Sequence, residues 1–120
     1  MNNTEFSEGF KKRTQDFSLR VIKLYKSLSR SVEGQVIGKQ LLRSGTSVAA
    51  NYRAACRARS GAEFFSKMSI VVEEADESVF WLELITATGI IPSKQLESLL
   101  SEATEILSIV ARARKTAKSH

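Results

Sequence analysis

The chain has 120 residues, 42% hydrophobic and 26% charged, which suits one globular domain with a real core and is too short for two. Lys and Arg number 18 against 13 Asp and Glu, so the net charge is +5 and a polyanion is an available partner. The single cysteine, Cys56, excludes an internal disulfide and a cysteine-based metal site, and the apolar runs are far too short to cross a bilayer. With a polar N-terminus and no apolar leader, the expected location is cytoplasmic, without a membrane partner.

Helical periodicity begins at once. Phe6, Phe10, Thr14, Phe17, Val21, Leu24 and Leu28 recur at spacings of three and four, which predicts a helix over 5–30. Lys12, Asp16, Arg20 and Lys23 fall on its outer face. The stretch SRSVEG, Ser29 to Gly34, is the expected break.

A second helix is predicted over 34–58, with Ile37, Leu41, Val48, Tyr52 and Cys56 on its apolar side. Gly45 and the Ala49–Ala50 pair would let a neighbouring backbone come close. Within QLLRSGTSVAANY, residues Gln40, Ser44, Ser47 and Asn51 form a narrow strip of uncharged polar side chains at about 100° per residue. Such a strip suits a buried or half-buried seam, where each group must find a partner or cost stability. Arg43 lies close by. With Lys39, Arg53 and Arg57 it falls roughly opposite the core.

Ser60 followed by Glu63 has capping-box spacing and predicts the start of a third helix, over 61–88. Gly89 suits a left-handed C-terminal residue and Pro92 stops continuation. Phe64, Met68, Val71, Val72, Ala75, Val79 and Leu82 give this helix the apolar face a bundle requires. Ile70, Trp81 and Leu84 lie well around the cylinder, on the side that holds Glu74 and Glu77. A second face mixing a tryptophan with carboxylates predicts an interface between copies of the chain. The competing reading is that Trp81 covers the edge of its own bundle.

Ser93 is placed to cap a fourth helix over 93–117, with a stripe of Leu96, Leu99, Leu100, Ala103, Ile106, Leu107 and Val110. Residues 112–120 form a basic end expected to fray. Four helices with short connections predict an all-α, antiparallel up-down-up-down four-helix bundle, one domain spanning residues 1–120.

Charge is unevenly spread. Residues 59–89 carry an acidic excess, whereas 1–31, 32–58 and 90–120 are each basic. The cluster Glu73, Glu74, Asp76 and Glu77 reads as a set of partners for Arg43, Arg53 and Arg57. No enzymatic activity, metal or cofactor is expected. The one histidine is His120, so a di-iron bundle lacks its Glu-x-x-His and a hydrolytic triad its base. A glycine-rich phosphate loop is also missing, and Cys56 reads as a small core residue.

LLRSGTSVAANYRAA, the following FFSKMSIVVEEADESVFWLEL and the aromatic-led first helix resemble the bacterial four-helix-bundle proteins encoded by intervening sequences within 23S ribosomal RNA genes. That family also takes in the accessory variability proteins of diversity-generating retroelements. The resemblance runs from about Phe10 to Val110 and is most specific at Arg43, Ser44, Ser47, Asn51, Glu74, Glu77 and Trp81–Leu82. It implies a left-handed bundle assembled as a homopentameric ring, without a catalytic site, that binds nucleic acid. In the retroelement branch it further implies docking of a reverse transcriptase.

The expected function is therefore that of a ring that binds structured RNA or RNA–DNA through backbone phosphates. Candidate contacts are Lys11, Lys12, Arg20 and Lys23, then Arg57 and Arg59, then Arg112, Arg114, Lys115 and Lys118. Few exposed aromatics accompany them, so base stacking is not expected. The alternative is a scaffold that recruits a partner enzyme such as a reverse transcriptase.

Overall fold

The computed structural model describes residues 3–28 and 30–118, the side chains of Asn3 and Lys118 excepted. It contains four helices, α1 (Asn3–Ser27), α2 (Val32–Cys56), α3 (Gly61–Thr88) and α4 (Ser93–Lys118), and no strand among the described residues. Each helix packs on its neighbour in sequence, and α1 meets α4 over a shorter stretch.

The boundaries follow local chemistry. Ser60 caps α3, its Oγ accepting from the Glu63 N–H at 3.0 Å. The returning arm reaches one residue further than a capping box requires: Glu63 Oε2 accepts from the Arg59 N–H at 3.4 Å. Gly89 ends α3 at φ 72°, the left-handed conformation that a side chain disfavours. α1 stops at Ser27, short of the predicted 30. Its last turn tightens, with the Leu28 N–H on the Tyr25 carbonyl at 3.2 Å. α2 begins at Val32, two residues before the predicted start, because Ser31 caps it by accepting from the Gly34 N–H at 3.1 Å. α2 also ends at Cys56, with Arg57 as its C-cap, two residues before the predicted 58. Ser93 is the first helical residue of α4, and the Gln95 N–H bonds the Pro92 carbonyl.

The predicted stripes meet in one core. Phe17, Val21, Leu41, Val48, Met68, Leu82, Leu96 and Ile106 are almost wholly buried. Polar groups drawn into this core are all satisfied among the described residues. Thr14 Oγ1 donates to the Lys11 carbonyl at 3.0 Å. Ser78 Oγ donates to Ser44 Oγ at 3.0 Å, joining α3 to α2 where both hydroxyls are fully buried.

α1 and α2 approach closely. A Cβ on Gly45 would lie 2.9 Å from Val21 Cγ2, and one on Gly38 would lie 2.5 Å from Leu28 Cδ1 and 3.0 Å from Tyr25 Cδ1. In the same seam Ser18 Oγ donates to the Gly45 carbonyl at 2.9 Å. Along it, Phe10 meets Tyr52 edge-on with ring centroids 4.9 Å apart, and Tyr25 Oη bonds Gln35 at 3.2 Å. Between α1 and α4, Arg13 grips Glu102 with two bonds of 2.7 and 2.8 Å and Glu105 with one of 2.9 Å. The hydrogen bond to Glu102, then that to Glu105, raises the Arg13 pKa further above its already high value. A paired, half-buried fork of this kind stands at the upper end of the ~0–1 kcal/mol typical of surface ion pairs.

This packing has two expected outcomes. Gly45→Ala should gain up to about 1 kcal/mol of helix propensity yet lose about 1–3 kcal/mol to overpacking, because Val21 is stiff at χ1 and cannot turn aside. Gly9→Ala adds a Cβ with nothing within 4 Å, so it should stabilise by up to about 1 kcal/mol. Urea denaturation of the two variants should therefore shift in opposite directions. The second outcome concerns Tyr52, which is buried at 5% exposure. Desolvation, with the neighbouring Cys56 thiol adding to it, raises its phenol pKa above the ordinary 10.0. The folded state thus keeps a proton that the unfolded chain loses. Stability is intact below pH 10 and falls as pH climbs above it, by up to about 1.4 kcal/mol per pH unit from this group. Thermal melts from pH 9 to 11 should show a steeper decline for the natural chain than for Tyr52→Phe.

Candidate nucleic-acid interface

The polar strip of α2 faces α3 and is graded in depth. Ser44 is fully buried, Ser47 and Asn51 are half-buried, and Gln40 is exposed, so Gln40 does not belong to a buried seam within the chain. Asn51 Nδ2 donates to the Ser47 carbonyl at 2.9 Å. Beside the strip Arg43 bridges to α3, donating to Glu74 at 2.8 Å and Glu77 at 2.6 Å. The hydrogen bond to Glu77 is the main reason its pKa is raised. The same Glu77 oxygen accepts from Trp81 Nε1 at 3.4 Å. Arg43 thus pairs inside its own chain and has no charge free for phosphate.

The expected second face of α3 divides. Trp81 and Leu84 are half-buried and lean on their own core, while Ile70 is 37% exposed. Phe80, 51% exposed and in edge contact with Trp81 at 4.8 Å, is the most exposed large apolar side chain of α3. Heptad spacing would have flagged it, since Ile70, Glu73, Glu77, Phe80 and Leu84 follow one another at three and four residues.

Of the three arginines expected to meet the acidic cluster, only Arg43 does. Arg53 and Arg57 sit towards the opposite end of α2 from its N-cap, across from Lys11 and Lys12 of α1, and neither has a carboxylate partner among the described residues. These four side chains, with Glu8, Gln15, Ala49 and Ala50, line a groove of about 520 Å³. Lys11 is held by Glu8 at 2.8 Å and Lys12 by Asp16 at 3.4 Å. The C-terminal turn of α2 carries the negative end of the helix dipole, which favours cations there. Periodicity alone puts Arg53 on an outer face and misses it as a candidate. The signal available is its four-residue spacing from Arg57.

The remaining candidates do not form one surface. Arg20 turns to α4 and donates to Ser98 Oγ at 3.0 Å, and Lys23 projects from the outer side of α1. Arg59 is exposed at the α2–α3 turn, 3.7 Å from Glu63. Arg114 is structural, donating to Ser69 Oγ at 3.0 Å and lying 5.2 Å from the Phe65 ring centroid. Arg112 and Lys115 are exposed on the last turns of α4. The Lys118 side chain and His120 lie outside the described residues.

Where α1 begins, α2 ends, α3 begins and α4 ends, a recess of about 1080 Å³ opens. Its lining is mainly apolar, with Phe6, Tyr52, Phe64, Phe65 and Ile109, and Arg112 contributes a charge. Phe6 is 44% exposed and stacks on Phe10, with the centroids 5.7 Å apart and the rings within 8° of parallel. An exposed aromatic therefore does accompany the basic residues, against the expectation from sequence. Phe6 opens the core stripe of α1, and a stripe that outruns its partner helices leaves its first member uncovered.

Among the described residues no group of three or more His, Cys, Asp or Glu is placed to hold a metal ion, and no helix is long and apolar enough to cross a membrane. The arrangement offers cations, an aromatic surface and hydroxyls. The family model described as 23S rRNA-intervening sequence protein matches residues 9–112. No curated protein matches the chain. A crystal structure at 1.70 Å resolution of a protein of unknown function, from the S23 ribosomal protein family of Bacteroides thetaiotaomicron VPI-5482, is similar in fold with a TM-score of 0.83. Its identity is 38%, over 91% of this chain and 97% of that one. By the family match over residues 9–112 the chain belongs to the 23S rRNA-intervening sequence protein family.

Proposed function

We propose that this protein is a non-enzymatic, cytoplasmic RNA-binding bundle that works as a homo-oligomeric ring, most simply a pentamer, and holds structured RNA or RNA–DNA by its backbone phosphates. The observation that carries the reading is the α1–α2 groove. Arg53 and Arg57 stand there without carboxylate partners among the described residues, opposite Lys11 and Lys12. Arginines kept unpaired on a helix that pairs Arg43 elsewhere are suited to an external anion. The family's tie by name to 23S rRNA favours RNA as that anion. An antiparallel up-down-up-down course is supported by the pairing along the helices, since Phe10 meets Tyr52 while Tyr25 meets Gln35, and Ser69 meets Arg114. Assembly is supported by the outer stripe of α3. Its Ile70 and Phe80 are exposed although the opposite side of the helix already fills the core.

Salt-titrated binding tests the first part. Changing Lys11, Lys12, Arg53 and Arg57 together to Gln should weaken binding to hairpin, single-stranded and duplex RNA about equally. It should also flatten the salt slope by roughly 0.7–0.9 for each phosphate no longer neutralised. Changing Arg20 and Lys23 should do less, because neither lines the groove. Absence of binding to any RNA at about 50 mM salt would reject the reading. It would favour a scaffold that recruits a partner enzyme such as a reverse transcriptase.

Light scattering tests the second part. Phe80→Glu with Ile70→Glu should convert a ring into single subunits without unfolding them, since both side chains are exposed in the chain and a charge there is costly only when buried. Trp81→Ala should lower both assembly and subunit stability, because the indole leans on its own core. A natural chain that scatters as a monomer at micromolar concentration would overturn the assembly.

A further inference from the structure

We infer that the recess at the end of the bundle takes an unpaired nucleobase from a strand whose phosphates lie in the adjoining α1–α2 groove. The inference rests on the RNA reading above and assigns the recess a different task from that of the groove.

The two cavities are built from adjacent residues of the same two helices. Ser7 lines the recess and Glu8 the groove; Tyr52 lines the recess and Arg53 the groove; Cys56 lines the recess and Arg57 the groove. A chain of phosphates leaving the groove past Arg57 therefore arrives at the mouth of the recess, where Arg112 is the next cation. Inside, the surface is mainly aromatic and aliphatic. One face of Phe6 is stacked on Phe10, and the side chain is still 44% exposed, so the ring is supported behind and open in front. That is the form of a stacking platform, on which any base has a π-face to offer. Of the other rings in the lining, Phe64 and Phe65 are half-buried, Phe65 under the Arg114 guanidinium, and Tyr52 is buried, which leaves Phe6 as the most exposed ring.

Beside Arg112, the polar groups of the lining are the hydroxyls of Ser7, Tyr52, Ser60 and Thr116 and the Cys56 thiol, with Ser60 Oγ already accepting from the Glu63 N–H. A hydroxyl donates or accepts as required, so these groups can meet any base edge and impose little sequence choice. A paired base cannot leave its stack without a cost in unpairing, whereas a base in a tail or bulge is already free. The recess should consequently distinguish RNA by the presence of an unpaired nucleotide. The volume of about 1080 Å³ is slightly above what small-ligand sites usually enclose and leaves room for more than the base, including water and the adjoining sugar.

Fluorescence anisotropy on the full-length protein tests this with two hairpins of one stem, one blunt and one with a short single-stranded tail. The tailed hairpin should bind more tightly. Phe6→Ala should weaken the tailed hairpin roughly 5- to 150-fold, the range of losing one base–aromatic stack, and leave the blunt one unchanged. Phe6→Tyr should restore the tailed binding, and circular dichroism should find the helix content of both variants unaltered. Equal affinity for the two hairpins, or an equal loss for both in Phe6→Ala, would overturn the base site while the phosphate groove stands. Failure of both hairpins to bind would overturn the groove and the base site together. Saturable binding of decanoate, with no advantage for the tailed hairpin, would give the recess to an anionic acyl chain instead.

Discussion

The closeness of α1 and α2 at Gly38 and Gly45 is the constraint on which the rest of the arrangement depends. Both glycines face side chains that leave no room for a Cβ, and the Ser18 hydroxyl reaches across to the Gly45 carbonyl. This fixes the height of α1 against α2, and so which residues stand opposite each other further along. Away from the glycines the facing side chains grow to the Phe10–Tyr52 ring pair. The groove opens alongside that pair and the recess beyond it. One seam of graded side-chain size thereby locks the helices at one stretch and leaves cavities at another. The groove opens between Lys11, Lys12, Arg53 and Arg57 because the lock sets that register.

Charge is partitioned by the same packing. Of the six carboxylates of α3, Glu74 and Glu77 are taken within the chain by Arg43, and Glu63 lies 3.7 Å from Arg59. On α4, Glu102 and Glu105 are taken by Arg13. Each pair is half-open to water and adds little stability by itself. Their larger consequence is what they leave unmatched. Arg53 and Arg57 stand at the α1–α2 groove, away from α3, and have no carboxylate partner among the described residues. The end of the bundle where α2 finishes and α4 finishes also gathers Arg59, Arg112 and Lys115, at the negative poles of two helix dipoles. Net charge alone would not reveal this, because +5 spread evenly would give no directed field.

Faces are legible in the sequence and registers are not, for a physical reason. Periodicity reports the angle of a residue around its own helix, so the core stripes can be read from it, and the Ser60 and Gly89 boundaries from local chemistry. It carries no information about height against the next helix, and height decides whether Arg53 meets Glu74 or Lys11. The Gly45 contact is legible as a close approach, but its partner, Val21, is not. The start of α2 is ambiguous in sequence because Ser31 and Ser29 both suit a cap, and only the bond from the Gly34 N–H distinguishes them. Phe6 reads as core because its angle is right; exposure there comes from the stripe outrunning its neighbours, which no angle records. Arg20 groups with Lys11 and Lys12 by sign and helix, although at about 100° per residue it points away from Lys11 and ends on Ser98.

Assembly and RNA binding, as proposed, make compatible demands on this chain. A subunit interface on the outer stripe of α3 would cover Phe80, Ile70 and the rim of the Arg43–Glu77 pair. Burying a charged pair is costly when either member lacks partners. Here Arg43 already holds two carboxylates, and Glu77 also accepts from Trp81, so part of the hydrogen bonding is in place before a second copy arrives. The interface would therefore gain the apolar area of Phe80 and Ile70, and the net negative charge left by two carboxylates on one guanidinium would call for a cation from the second copy or for Glu77 to stay at the wet rim. It would leave the groove uncovered, since Lys11, Lys12, Arg53 and Arg57 stand at the α1–α2 seam, on elements that the stripe does not use. In a ring with all subunits facing the same way, these seams would repeat around the axis with their basic ends together. Phosphate affinity rises steeply with the number of charges neutralised, so several weak grooves in a ring would bind a folded RNA that one groove holds only briefly.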